Sequence, residues 1–302
     1  MNPQFLADGL MMGAMIGLGA IGVTLTYAIL RFANFAHGEF IAWGAYLALV
    51  ISGGLGLLAG GAVAPIASLS FGWPVIAAAF IAMALTGLMA LVLDRLLFSR
   101  LRRHGNAIAM VMASFGASMA LRSLLEFIFS SSPAYFSRDI QIAIPIGLGI
   151  RATPDQLFLI VLTAVLMIAV HLLMTRTAIG RAMRAVAENP ALARVSGIDV
   201  EHVIRATWII AGALACASGV VLGITVQIRP FMGFDLLLPL FAAAILGGIG
   251  SVPGAVVGGL IVGISESASV QFIGAEFRAA VAFLILIAVL LVKPTGLFGL
   301  SE

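Results

Sequence analysis

Long runs without a single Asp, Glu, Lys or Arg dominate this chain of 302 residues. Gly9 to Leu30 is one such run, and Phe40 to Leu93 is another, long enough for two helices across a bilayer. Ala206 to Ile228, Leu236 to Ser265 and Ala279 to Val292 are likewise free of charge. A bilayer core about 30 Å thick needs roughly 20 apolar residues per helix. Backbone groups in lipid must be bonded internally, which leaves helices or a closed barrel. The runs lack the alternation of a barrel strand, so helices are expected. Only 10% of residues are charged, against about 25% in soluble domains. The expected class is an all-α polytopic membrane protein forming a single transmembrane domain over 1–302.

Several chemistries are excluded on the same grounds. Asp8 is the only charge ahead of the first run, so that run lacks the basic flank of a cleaved signal and is expected to be kept as a span. Cys216 is the sole cysteine, which rules out an internal disulfide and a thiolate metal site. The only lysine, Lys293, follows Val292, whereas a phosphate-binding loop needs lysine after glycine. Any coupled ATP hydrolysis would therefore take place on another polypeptide. His104 and His202 fall in loops and His171 near a span end, with no two histidines at metal-ligand spacing. No metal and no cofactor are expected. Nor is nucleic acid, because the basic residues are divided among loops, where they report orientation.

Loop charge gives the topology. Residues 94–104 hold Arg95, Arg100, Arg102 and Arg103, and residues 176–205 hold Arg176, Arg181, Arg184, Arg194 and Arg205, together nine of the sixteen basic residues. The positive-inside rule makes both loops cytoplasmic. Spans are expected near 9–30, 39–58, 75–97, 107–130, 156–175, 205–228, 254–272 and 277–293. A short segment at 237–250 either crosses or dips in and returns. Eight or nine crossings follow, about eight to nine helices with broken or re-entrant segments. The C-terminus is inside, and the N-terminus is outside if all nine cross.

Some apparent signals are decoys. "GLGAIG" at 17–22 matches G-x-G-x-x-G, but that fingerprint needs a strand before it and a soluble α/β unit around it. Here it lies within a membrane run. Gly9, Gly13 and Gly17 share one helix face, as do Gly250, Gly254 and Gly258, which suits close packing of membrane helices. Arg122 and Glu126 are four apart inside a span and are expected to form an i,i+4 ion pair reaching toward the interface.

Two polar stretches stand out. "RFANFAHGEF", 31–40, puts Asn34, His37 and Glu39 between two expected spans. It is either a short polar loop or non-helical backbone facing protein or a water-filled path. "RAVAENPALARVSGID", 184–199, concentrates Arg184, Glu188, Asn189, Pro190, Arg194 and Gly197. Asn189 suits an N-cap with Pro190 at the first helical position, and Gly197 suits a left-handed C-terminal stop. The helix between them is too short to stand alone in water. A face of Ala191, Leu192 and Val195 is expected to be held by neighbours. Before it, Gly180 to Glu188 reads as a second short helix with Arg181 and Arg184 on its polar side. Such a loop looks like a docking surface for a soluble partner.

"NFAHGEF", "GRAMRAVAENPALARVSGI", "AAAILGGIGSVPGAVVGGLIVGISE" and the terminal "LLVKPTGLFG" closely resemble the permease subunits of branched-chain amino acid ABC importers, the LivH type. The likeness runs nearly end to end. It implies the ABC importer permease fold in a bacterial inner membrane. It also implies two ATPase subunits, a second related permease and a periplasmic or extracellular substrate-binding protein as partners. By that resemblance 178–200 engages the ATPase, through Arg181, Arg184, Glu188, Asn189, Pro190, Arg194 and Gly197. Asn34, His37 and Glu39 are candidates to line or brace the translocation route. Branched-chain amino acids are the implied cargo, with amides, urea and other small solutes of the wider family as the alternative. A secondary transporter without an ATPase would place ionisable groups in its spans, where Arg122, Glu126 and Glu266 are the main candidates. A membrane enzyme would need a catalytic constellation, and none is legible.

Overall fold

The computed structural model describes residues 3–60, 65–103, 106–137, 141–147, 149–293 and 295–299. His104 of the expected 94–104 loop lies outside them. Four helices precede a small hairpin: α1 (Gln4–Leu30), α2 (His37–Leu58), α3 (Trp73–Arg102) and α4 (Ala107–Phe129). Strands β1 (Ile144–Gly147) and β2 (Ile150–Ala152) pair antiparallel. Then come α5 (Pro154–Arg176), the short α6 (Ala178–Glu188) and α7 (Pro190–Val195), and α8 (Val200–Thr225). The chain ends with α9 (Met232–Gly247), α10 (Val252–Phe272) and α11 (Arg278–Val292), the last led by a 3₁₀ turn at Ala275–Phe277. Among the described residues, eight helices are long and apolar enough to cross a membrane, and the protein is a multi-pass membrane protein.

Local chemistry sets many of the ends. Thr153 caps α5 with a reciprocal capping box to Gln156, and Pro154 opens the helix. Ser251 caps α10 by accepting from the Gly254 N–H at 3.1 Å. Asn106 caps α4 through the N–H groups of Ile108 and Ala109.

The apolar window of α1 is 83% buried and that of α8 is 72%, against 6% for the final span. These two helices therefore form the centre, and the rest surround it with apolar faces left outward. Glycine makes the central contact possible. A Cβ on Gly263 would lie 2.2 Å from the Gly13 nitrogen, and one on Gly259 would lie 2.4 Å from the Gly17 Cα. The α1 stripe thus packs backbone to backbone on α10, as expected of an ordinary span contact. The fingerprint-like glycines 17–22 are absorbed here too, since all lie inside α1 with no strand before them.

Contacts also fix direction. Gly9, Gly13 and Gly17 meet Ile264, Leu260 and Val256 in that order, so α1 and α10 are antiparallel. Gly247 meets Gly254 and Gly258 meets Ala243, so α9 and α10 form a tight hairpin through Gly248 and Gly250, both at positive φ. Although α9 has only 16 residues, about 24 Å at 1.5 Å each, it runs in the sense of α1. Gly19 and Thr24 of α1 face Leu240 and Gly250. Over these nine described segments the direction reverses eight times, so Gln4 and Val292 lie at opposite ends.

Two expected boundaries move. Helix α3 does not stop near 97 but continues to Arg102 through a π-helical turn at Asp94–Phe98. The Arg102–Asp94 ion pair at 3.0 Å holds that extension, so Arg95, Arg100 and Arg102 sit on a helix rather than in a loop. The short segment begins at Met232 rather than 237.

Candidate functional site

Asn34 lies in the non-helical return between α1 and α2, whereas His37 and Glu39 belong to the first turn of α2. The chain leaves α1 at Arg31 in a left-handed conformation and turns back, so that α2 starts at His37 beside Gly22. Gly22 lies eight residues before the end of α1, about 12 Å back along the helix. The intervening backbone is partly satisfied by α4: the Phe35 N–H donates to the Ser114 hydroxyl at 3.1 Å. Asn34 folds this turn by accepting from the Ala36 N–H at 3.1 Å. All three side chains are buried, with His37 and Glu39 fully inaccessible.

Glu39 finds its partner 83 residues away. Its Oε1 accepts from Arg122 Nη2 at 2.6 Å, from Arg122 Nε at 3.2 Å and from the Ser118 hydroxyl at 2.9 Å. The expected Arg122–Glu126 pair is therefore replaced by a contact between helices. Facing α2 brings a carboxylate within reach, and burial favours the fully enclosed partner. The guanidinium also lies over the rings of Phe234 and Phe231, 4.2 and 5.0 Å from their centroids. Sequence reading flagged Arg122 as an ionisable group in a span but carried no signal for Ser118, Phe231 or Phe234. Among the described residues, the Asn34 amide nitrogen and Glu39 Oε2 have no hydrogen-bond partner.

The second cluster lies at the arginine-rich end. The Thr177 side chain caps α6 by accepting from the Gly180 N–H at 3.1 Å. Gly180 abuts the end of α5, where a Cβ would come 2.4 Å from the Leu173 and Met174 carbonyl oxygens. Arg184 Nη1 donates to the Met174 carbonyl at 2.7 Å and Arg181 Nη1 to that of Arg176 at 3.3 Å. The Asn189 side chain accepts from the N–H groups of Ala191 and Leu192, both at 3.0 Å, and Pro190 opens α7. Gly197, at φ 85°, closes it. The Ile198 N–H donates to the Ala193 carbonyl and the Gly197 N–H to that of Arg194, the paired bonds of a Schellman stop.

The packed face of α7 differs from expectation. Ala193 is buried, while Leu192 is 63% and Val195 87% exposed. A six-residue helix tied down at both caps needs only one small contact below it, which frees the larger side chains to point away. Glu188 and Arg194 are exposed too.

One cavity of about 420 Å³ joins this element to distant parts of the chain. Arg31, Arg184, Glu188, Ser251 and Phe298 all line it. The Arg31 guanidinium donates to the Ala187 carbonyl, tying α1 to α6. The terminal segment is fastened by the N–H groups of Leu297 and Phe298, which donate to Leu246 and Gly247. Pieces of three of the four blocks singled out in the sequence meet at this end, together with the last turns of α1.

Comparison with known proteins agrees over nearly the whole chain. The model of the family described as "Branched-chain amino acid transport system / permease component" matches residues 5–290. The high-affinity branched-chain amino acid transport system permease protein LivH of Escherichia coli (strain K12) is 33% identical over 305 residues, covering 99% of this chain and 96% of the relative. The corresponding permease protein BraD of Pseudomonas aeruginosa is 33% identical over 304 residues, with the same coverage. Among solved structures, a chain of PsaBC from Streptococcus pneumoniae in complex with Fab shares the fold at a TM-score of 0.50. The two are 16% identical, over 97% of this chain and 94% of that one.

Proposed function

Because the chain belongs to the branched-chain amino acid transport system / permease component family, we propose that it is the membrane-spanning subunit of an ATP-driven importer of branched-chain amino acids. Its partners in this reading are two ATPase subunits, a second related permease and an external substrate-binding protein, assembled in the bacterial inner membrane. The arginine-rich end faces the cytoplasm.

The observation that carries the reading is the exposed Leu192–Val195 pair on a fully capped α7. Large apolar side chains held rigidly outward at a polar end suit a protein partner. Arg181, Arg184, Glu188, Asn189, Pro190, Arg194 and Gly197 shape that element or surround it. Closure of the ATPases would push α6 and α7, and α1 would receive the movement through Arg31. Gly22, further along α1, contacts His37, so the same helix reaches the buried Asn34–His37–Glu39 group that braces the route in this reading. Alternating access then follows from packed helices shifting as units.

Two measurements test this. The chain, expressed with its neighbouring subunits, should co-purify with an ATPase and support uptake of L-leucine only when the binding protein is present. Cysteines placed at Ser99 and Ser196 should react with an impermeant thiol reagent only from the cytoplasmic side, since the native Cys216 is buried. Uptake without any ATPase would leave a secondary transporter as the better reading.

A further inference from the structure

Away from both clusters, a buried carboxylate lines a cavity near the N-terminal end of α1. Glu266 on α10 is only 4% exposed, and among the described residues its Oε1 has no hydrogen-bond partner. Arg278 acts on it electrostatically, but a buried carboxyl in a membrane span with an unbonded oxygen points to a function that supplies a partner. The cavity it lines measures about 140 Å³. Through Asp8, Ser267 and Arg278 it shares lining with a second, wider cleft of about 410 Å³.

The chemistry of the lining divides into three parts. Met11, Met12 and Met15 of α1, with Val226, give an apolar wall. Gln156, Thr225 and Ser267 offer neutral hydrogen-bonding groups. Glu266 places a carboxyl group inside, and Asp8 and Arg278, both exposed, put one charge of each sign at the mouth. Methionine walls adapt to aliphatic shapes of differing branching. A cavity of about 150 Å³ holds a molecule the size of benzene, so the inner chamber suits a branched aliphatic side chain rather than a larger solute.

We infer that this cavity is a substrate site of the permease, taking a zwitterionic α-amino acid with a short aliphatic side chain. The ammonium group pairs with Glu266, the carboxylate with Arg278, and the side chain lies on the methionines. This deepens the importer reading and rests on it. A neutral amide or urea offers neither the ammonium nor the carboxylate that this pairing uses. The site lies at the end opposite the docking helices, where cargo released by a binding protein would arrive.

The test uses the assembled complex carrying Ser267→Cys, with Cys216 as a buried background. L-Leucine, titrated from micromolar to millimolar, should slow labelling of the new cysteine. Its analogues 4-methylpentanoate, which lacks the ammonium group, and 3-methylbutylamine, which lacks the carboxylate, should not, and neither should acetamide. Adding Glu266→Gln should weaken protection by about tenfold or more, the loss expected for one charge-assisted hydrogen bond. Arg278→Gln should do the same, and because that residue is exposed it does not endanger folding. Absence of protection by leucine, equal protection by an analogue, or unchanged protection in both variants would overturn the proposal. Failure of the chain to co-purify with an ATPase is a separate result, which sinks the importer reading and not the site.

Discussion

Glu39 and Arg122 join two helices through a 2.6 Å ion pair in which the carboxylate is fully buried and the guanidinium side chain is 13% exposed. Buried pairs are costly to break because the surviving charge is stranded. Arg122→Met should therefore destabilise the protein by about 3–5 kcal/mol. Glu39→Gln/Arg122→Met should be closer to wild type than Arg122→Met alone. Thermal unfolding in detergent would compare them, and equal losses in the single and double variants would remove the pair from the account.

His37 and Gly22 form a second coupled contact. A Cβ on Gly22 would lie 2.6 Å from His37 Cε1, and the ring is fully buried. Gly22→Ala should lower transport by displacing that ring, and His37→Ala should lower it by leaving a void. Together they should show an interaction energy of about 0.5–3 kcal/mol, since the smaller residue makes room for the added methyl. Strict additivity in unfolding and uptake measurements would contradict the contact.

At Gly197 the constraint is conformational and not steric. Its φ is 85°, yet among the described residues nothing lies within 4 Å of an added Cβ. Gly197→Val should cost about 1–2 kcal/mol by straining the left-handed stop. Gly197→Asn, which tolerates that region, should be milder. Co-purification of the ATPase should fall in the first and persist in the second. Glu188→Lys should lower it as well, by charge alone, and unchanged association in all three variants would make the segment a solvated loop.

Glycine substitutions separate central packing from surface. Gly263→Ala forces a carbon to 2.2 Å from the Gly13 backbone, whereas Gly116→Ala meets nothing within 4 Å. The first should cost about 1–3 kcal/mol or more through overpacking. The second should leave the unfolding temperature of the isolated chain unchanged. Similar behaviour of the two would mean that α1 and α10 are not in backbone contact.

The spans, their approximate ends and the capped α7 are legible in the sequence because their causes are local. A charge-free run of sufficient length has one answer in lipid, and Asn189, Pro190 and Gly197 act on backbone within a few residues of themselves. The exchange of Arg122 from Glu126 to Glu39 is not legible, nor is the return of Arg31–Ala36 that starts α2 beside Gly22. In lipid, apolar residues suit the outward face as well as the inward one, so hydrophobic pattern does not say which side of α4 meets α2. The same ambiguity hid the cavity that Glu266 shares with three methionines of α1. Charge and caps fixed the order of the helices along the chain. Only their packing, made close by glycines 13, 17, 259 and 263, decided which polar side chains meet, because those partners lie far apart in sequence and share no periodicity.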